Sequence, residues 1–571
     1  MYGWSGQALE VDLSTGQSSI LQLSATVLHQ TLGGRGLAGH LLRVRSPNLD
    51  TPTICLASGP FCGGNIQTAE RLVAVFRSPL TTGIFDNSAG CSFASALKGS
   101  GFDALLLKGA ANSLTHLQID KAGGRLLSAV EMAGLDTEET LSLLGDPASL
   151  VIGPAGENQV RYASVVASAG EPLSRGGLGA VFGRMNLKAI SASGERTYPL
   201  ADEKAYLKAK ADVQRLYHAS PLLYGPLGIG ACGTSALLDL TQARQMLPSV
   251  NFRHRSYPDP LNVSAYRLKQ RSGFADDPCP VCQIACRKKD AAGGLPEYDS
   301  RAHFSALLGL NDLELPIAAD RACQHLGLDP VSAAVVLATY LDGKDNPATA
   351  ENLITKLEDI SYRRAEGNAL ADGLKAYVEK VADGATAFCV KGLEMPAFDP
   401  RGAYGLALSL ALSCSGEYRH ALTYFHELLR KPVPTDPFSF AGKARIVLQA
   451  EDAVAACDSL SICRHTLVAA GLEEYAALLS AVTGQTFDAT TLANSGRQTI
   501  MRERWLNQQY GFSGREDSLP EIFFMGEGIP SSDGPVSALP FSEFDAERKR
   551  YYRLRGLNEK GQLLSEPVEP A

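Results

Sequence analysis

Ser191-Ala-Ser-Gly-Glu-Arg-Thr-Tyr-Pro-Leu-Ala-Asp202 divides the chain into two kinds of sequence. Before it, glycine is frequent and the apolar residues fall in short runs such as Arg71-Leu-Val-Ala-Val-Phe76 and Asp103-Ala-Leu-Leu-Leu107. Runs of this kind fit a pleated, half-buried surface, so residues 1–195 are expected to form a mainly β domain. Asp12-Leu-Ser-Thr-Gly16 places turn residues between two apolar segments and predicts a hairpin within Val11 to Leu23. After the divide the apolar spacing becomes three to four, as in Ile317, Ala318, Ala322 and Leu326, then Val335, Val336, Ala338 and Thr339. That spacing predicts helices. Pro396, Pro400 and Gly402 punctuate a second boundary, so helical domains are expected over 203–395 and 396–571. The expected fold class is α+β, an N-terminal mainly β domain followed by two mainly α-helical domains.

Composition excludes several function classes. The 571 residues are 45% hydrophobic with a formal net charge of −8, enough chain to bury a large core without disulfides. No long Lys/Arg run offers the concentrated basic face that phosphate binding needs, so nucleic acid is not an expected partner. Apolar runs stay short of the about 18 residues that a membrane span needs, so membrane insertion is not expected either. The opening residues, Met1 to Gly16, lack the basic-then-apolar pattern of a secretory signal, and the protein is expected in the cytoplasm. In that setting the 12 cysteines are expected to be reduced thiols or metal ligands.

Three of them cluster. Cys279, Cys282 and Cys286 form C-x2-C-x3-C, and one helical turn would place the last two thiolates on the same face. A fourth thiolate would complete a tetrahedral set, and Cys463 in Asp458-Ser-Leu-Ser-Ile-Cys463 is a distant candidate. Local spacing leaves iron–sulfur, zinc and unliganded thiols all open. Arg175-Gly176-Gly177-Leu-Gly-Ala-Val-Phe-Gly183 fits either a phosphate cradle, with backbone amides and a guanidinium around the anion, or a tightly packed glycine turn. Arg71 and Asn87, flanking Ser78-Pro-Leu-Thr-Thr-Gly83, raise the same question. Asp329 and Asp458 each adjoin an apolar helical run and read as helix N-caps or as carboxylates that accept paired hydrogen bonds from an amino-heterocycle. Gly34, Gly36 and Gly39 match the dinucleotide fingerprint formally, but Ser24 to Thr31 before them reads as a Ser-capped helix, so tight packing is expected instead. The basic run Arg287 to Lys289 reads as a solvated turn or a docking point for an acidic electron carrier.

Taken in order, Leu32-Gly-Gly-Arg-Gly-Leu37, Ser78-Pro-Leu-Thr81, the Arg175 loop, the cysteine motif, Gly327-Leu-Asp329, Asp399-Pro-Arg-Gly-Ala-Tyr404 and Tyr551-Tyr-Arg-Leu-Arg-Gly556 resemble the aldehyde:ferredoxin oxidoreductase family along essentially the whole chain. The resemblance implies two pterin dithiolenes holding one tungsten or molybdenum, with magnesium bridging the pterin phosphates near Asn87, Arg175, Gly176 and Gly177. It implies that Asp329 and Asp458 each hold one pterin. Cys279, Cys282, Cys286 and Cys463 would bind one [4Fe–4S] cluster, with Arg71 between cluster and pterin. The implied reaction interconverts aldehydes and carboxylic acids, with electrons passing to a ferredoxin or an iron–sulfur partner subunit, in a homodimer or hetero-oligomer. Where the family has a Tyr-Glu pair this chain has Tyr298-Asp299, and where the family has a histidine it has Arg419-His420, so Asp299 or His420 is the expected acid–base group and Tyr298 a substrate contact. The rival readings are the catalytic subunit of a low-potential aryl-CoA reductase complex and a zinc-stapled structural protein.

Overall fold

The computed structural model describes residues 2–46, 51–168, 171–342, 349–382, 384–423, 425–429, 435–525 and 537–570. The expected hairpin forms because Asp12 accepts the Ser14 N–H at 2.8 Å, which turns β1 (Gln7–Asp12) antiparallel onto β2 (Gln17–Gln22). With β3 (Thr53–Ala57), β4 (Arg71–Arg77), β5 (Ile84–Gly90) and β6 (Ala104–Lys108) they make one sheet of order β2-β1-β6-β3-β4-β5. Within this sheet, among the described residues, only β1 and β6 pair in parallel. A second sheet joins β7 (Thr115–Asp120), β8 (Gly123–Ser128), β9 (Ser149–Val151), β10 (Val166–Ala167) and β11 (Leu187–Ala192) in the order β10-β9-β11-β7-β8.

Strands β3 and β4 are buried almost throughout and read as unbroken apolar runs, so both of their faces need cover. Helices supply part of it, and the region expected to be mainly β therefore carries Ala25–Thr31, Gly34–Arg45, Ser92–Gly99, Thr137–Leu144 and Leu178–Arg184 between its strands. Ser24 caps the first of them by accepting the Val27 N–H at 3.1 Å. Gly34–Arg45 follows and packs on β3, β4 and the Lys443–Leu460 helix. Its glycines serve that packing: a Cβ on Gly34 would lie 2.2 Å from the Asp458 carbonyl oxygen, and one on Gly36 2.3 Å from that of Thr31.

Past residue 203 the longer elements are helices, among them Glu203–Ala219, Glu314–Leu326, Pro330–Leu341, Tyr404–Leu412, Lys443–Leu460, Leu472–Thr483, Ala489–Gln509 and Phe541–Arg555. The Asp329 N–H bonds the Tyr162 carbonyl at 2.9 Å, beside an Ala163–Leu328 bridge, and this pins the start of Pro330–Leu341 onto the N-terminal region. Among the described residues no single helix is long and apolar enough to cross a membrane.

Candidate active site

The loop bearing Cys279, Cys282 and Cys286 is not helical. Pro278 and Pro280 keep Cys279 out of the helical region, and Val281 and Ala285 take φ of +52° and +53°, turning the backbone twice. The helical turn expected from the Cys282–Cys286 spacing is thereby replaced by a loop that bonds its own sulfur. The Ala285 and Ile284 amides donate to the Cys282 thiol, and the His465 amide donates to Cys463. Cys463 arrives from the far end of the chain, its own N–H held by the Thr68 carbonyl at 3.2 Å. All four cysteines line one cavity. Gly90, the last residue of β5, makes room for the loop, since a Cβ there would lie 2.9 Å from the Cys279 sulfur. Burial pushes all four thiols up, a penalty on thiolates that a bound cationic centre would offset. Among the described residues no three His, Cys, Asp or Glu side chains close around a single ion.

Arginine–carboxylate pairs form the rest of the wall. Arg71 opens β4 opposite Gly90 and donates to Ser88 Oγ at 3.1 Å, the Ser88 carbonyl at 2.9 Å and Glu171 Oε2 at 2.8 Å. Burial alone would raise the Glu171 carboxyl, but Arg71 and the Gly90 amide hold it at about 2. Arg175 stands 3.2 Å from Asp329 Oδ2 and 3.4 Å from Glu417 Oε2. Side chains alternate along β5, so Asn87 turns to the Arg175 carbonyl at 2.9 Å while Asp86 turns the other way, to Arg35 at 3.1 Å and His420 at 2.8 Å. Burial opposes the Asp86 charge, but Arg35 and His420 hold its carboxyl well below the usual range. Among the described residues its Oδ2, on a wall of the cavity, has no hydrogen-bond partner, as a site completed by a ligand would leave it.

The expected residues divide by position. Arg71, Asn87, Arg175, Asp299, Tyr298 and the four cysteines line this cavity, and Asp329 lines an adjoining space that shares Asn87, Arg175 and Asp299. Gly176 and Gly177 lie behind it at φ +78° and +81°, packed so closely that added Cβ atoms would fall 2.5 Å from the Phe85 ring and 2.0 Å from the Arg161 carbonyl oxygen. Asp329 is a helix N-cap, accepting the Val331 and Ser332 amides at 3.2 and 3.3 Å. Asp458 is not, because it sits in the last turn of Lys443–Leu460, one side chain behind the cavity, between Arg35 at 3.4 Å and Arg464 at 3.2 Å. Asp299 Oδ2 accepts the Tyr418 hydroxyl at 2.9 Å and its Oδ1 accepts the Ala397 amide at 3.0 Å. The Tyr298 hydroxyl bonds Thr241 Oγ1 at 3.0 Å and the Ala397 carbonyl. His420 is buried behind Asp86, its Nδ1 3.0 Å from Ser413 Oγ.

Sequence reasoning passed over Glu171, Glu297, Arg35 and Arg464. Glu297 precedes Tyr298 and lines the cavity, and burial together with Glu171 pushes its carboxyl up to about 7. A charged residue beside a cysteine motif was the available signal for Arg464, and Arg35 was marked only as part of the Leu32–Leu37 motif. The basic run is neither solvated nor free: Arg287 pairs with Asp277 at 2.8 Å, Lys288 is buried against Asp276 and the Gly230 carbonyl, and only Lys289 is exposed.

The chain is similar to known proteins over its full length. The tungsten-containing aldehyde ferredoxin oxidoreductase of Pyrococcus furiosus is 30% identical, with 100% of this chain and 99% of the relative covered. The Thermococcus kodakarensis protein of the same name is 28% identical over the same shares. The solved active-site complex BamBC of benzoyl coenzyme A reductase, in complex with 1,5-dienoyl-CoA, superposes with a TM-score of 0.82 at 20% identity, covering 98% of this chain and 96% of that one, a likeness of fold. Family models match residues 8–194 as the aldehyde ferredoxin oxidoreductase N-terminal domain and residues 208–569 as its domains 2 and 3. With both models matched in chain order and relatives aligned end to end, the chain belongs to the aldehyde ferredoxin oxidoreductase family of oxidoreductases.

Proposed function

We propose that this protein interconverts aldehydes and carboxylic acids at a tungsten- or molybdenum-bispterin centre and passes the electrons through a [4Fe–4S] cluster to a ferredoxin or partner subunit. The observation that carries the reading is the convergence of Cys279, Cys282 and Cys286 with Cys463, from a distant part of the chain, on the cavity that Arg71, Asn87 and Arg175 also line. Four thiolates suit an iron–sulfur cluster. Arg71 stands on their wall and would hold an anionic cofactor against them. Asp329 would bind one pterin directly, and Asp458, through Arg464, the other. Arg175 and Asn87, with the Gly176–Gly177 backbone behind them, would hold phosphates bridged by magnesium.

When bound, the metal–pterin centre supplies the two-electron redox chemistry. Oxidation of an aldehyde with water to the acid releases two electrons and two protons, and the chain's own work is to orient the substrate and carry protons away. Asp299 is placed for the second task, its Oδ2 held on the cavity wall by Tyr418.

Elemental analysis of anaerobically purified protein is expected to find tungsten or molybdenum, with iron in the proportion of one four-iron cluster per chain. Zinc without these metals would exclude the reading and favour the structural alternative. Cys463→Ala should remove or convert the reduced-cluster EPR signal, whereas Cys457→Ala, a fully buried neighbour outside the cavity, should not. An unchanged signal with normal iron in Cys463→Ala would rule out that ligand. Asp329→Ala and Asp458→Ala should each lower pterin and metal content. If Asp329 were only a cap, its loss would cost about 1 kcal/mol of stability with the cofactor retained.

A further inference from the structure

Ser332, in the first turn of the Pro330–Leu341 helix, places its hydroxyl between two carboxyl groups, 2.6 Å from Asp329 Oδ2 and 2.8 Å from Glu394 Oε2. At those separations each oxygen–oxygen contact needs a hydrogen between its atoms. A serine hydroxyl brings one, and ionised carboxylates bring none. Asp329, Ser332 and Glu394 are each 0% exposed, so an unprotonated contact would set lone pair against lone pair in a low-dielectric interior. The second hydrogen therefore belongs to one of the two carboxyl groups.

Their surroundings decide which. Asp329 faces the Arg175 guanidinium at 3.2 Å and takes two N–H groups at a helix N-terminus, where the helix dipole favours negative charge. Glu394 accepts the Leu374 N–H at 2.9 Å and its own amide, but among the described residues it forms no side-chain ion pair. Arg175 bonds its backbone carbonyl, at 2.6 Å, and acts on the carboxyl only through its charge, without a hydrogen bond. Burial raises the Glu394 carboxyl above its usual range, in the direction this geometry requires.

We infer that Glu394 is a neutral carboxylic acid that donates to Ser332 Oγ, which donates in turn to Asp329 Oδ2, making Glu394 the positioning residue that holds an ionised Asp329 on the cavity wall. The role toward the cofactor rests on the proposed pterin contact of Asp329, while the protonation itself does not.

Infrared spectra of the purified protein at neutral pH, in H2O and D2O, test the assignment. Beside any band from Glu297, the wild type should show a carbonyl-stretch component of a buried protonated carboxylic acid, shifted by deuteration and missing from Glu394→Gln. Persistence of the whole band in Glu394→Gln, its absence from the wild type, or its loss in Asp329→Asn alone would overturn the inference. Should Glu394→Gln fail to fold, Ser332→Ala must keep the band but move it, since the acid loses its acceptor; an unmoved band overturns the chain of donors. Glutamine keeps an N–H for Ser332, so Glu394→Gln should retain pterin and metal, whereas Glu394→Met and Ser332→Ala should retain the cofactor about 10-fold less tightly or worse. Wild-type cofactor content in Ser332→Ala would remove the positioning role. A wild-type protein without pterin would defeat the proposed function and leave the infrared result standing on its own.

Discussion

Arg35→Met is expected to destabilise the protein by about 3–5 kcal/mol, the range for removing one partner of a buried ion pair. The Arg35 guanidinium is fully buried and grips Glu503 with two bonds of 2.7 Å, while reaching Asp86 at 3.1 Å and Asp458 at 3.4 Å. Burial opposes its charge, yet these three carboxylates together raise its pKa well above the usual value. One cation thus joins β5, the Lys443–Leu460 helix and the Ala489–Gln509 helix to the Gly34–Arg45 helix. Without it, Asp86 keeps His420 and Asp458 keeps Arg464, but the described residues give Glu503 no other ion-pair partner. Lysine is a poor substitute because an ammonium cannot form the paired contact with Glu503, so Arg35→Lys should recover only part of the loss. The measurement is the denaturant midpoint beside the wild type. Glu503→Gln on the Arg35→Met background should restore part of the stability, since it removes the stranded charge. An unchanged midpoint in Arg35→Met would show that the network contributes nothing.

Arg35 also shows where reading a sequence stops. Local order was legible because its causes are local: the Asp12 turn, the Ser24 cap and the period of Glu314–Leu326 and Pro330–Leu341 lie within a few residues of the bonds that make them. The cysteine motif was legible as a site by its composition, but its conformation was not, because two left-handed residues, Val281 and Ala285, override the helical spacing. Asp458 looked like a cap because apolar residues follow it. In fact the helix runs from Lys443 and ends two residues later, with Ser461 at φ +67°, and the side chain is fixed by Arg35 from 423 positions away. Pairings over that distance leave no local periodicity. The same holds for Glu171 with Arg71 and for His420 with Asp86, so the wall of the cavity could be placed only through the family resemblance or the fold. The helices between the N-terminal strands follow from a physical condition the strand pattern already contained, since β3 and β4, apolar on both faces, cannot be left uncovered.

The same geometry separates the two proposed acid–base groups. Asp299→Asn should keep metal, pterin and cluster but lose about 10²-fold or more in aldehyde turnover, the scale of general acid–base catalysis. The amide preserves shape and a hydrogen bond to Tyr418 while removing the carboxyl that takes the proton. His420 does not line the cavity and meets it only through Asp86, so His420→Asn is expected to cost stability through the Asp86 pair and leave turnover per loaded site nearer the wild type. Tyr418→Phe offers a graded control, because it frees Asp299 Oδ2 without removing the carboxyl and should cost less than Asp299→Asn. Glu297 is the competitor the fold introduces, a cavity carboxyl raised to about 7 by burial and by Glu171. A carboxyl near 7 is half protonated at neutral pH, so if Glu297 were the group, Glu297→Gln would abolish a limb of the pH–rate profile near that value. Normal turnover in Asp299→Asn with that limb lost in Glu297→Gln would move the role to Glu297. A dead His420→Asn beside an active Asp299→Asn would return it to the histidine, acting through Asp86.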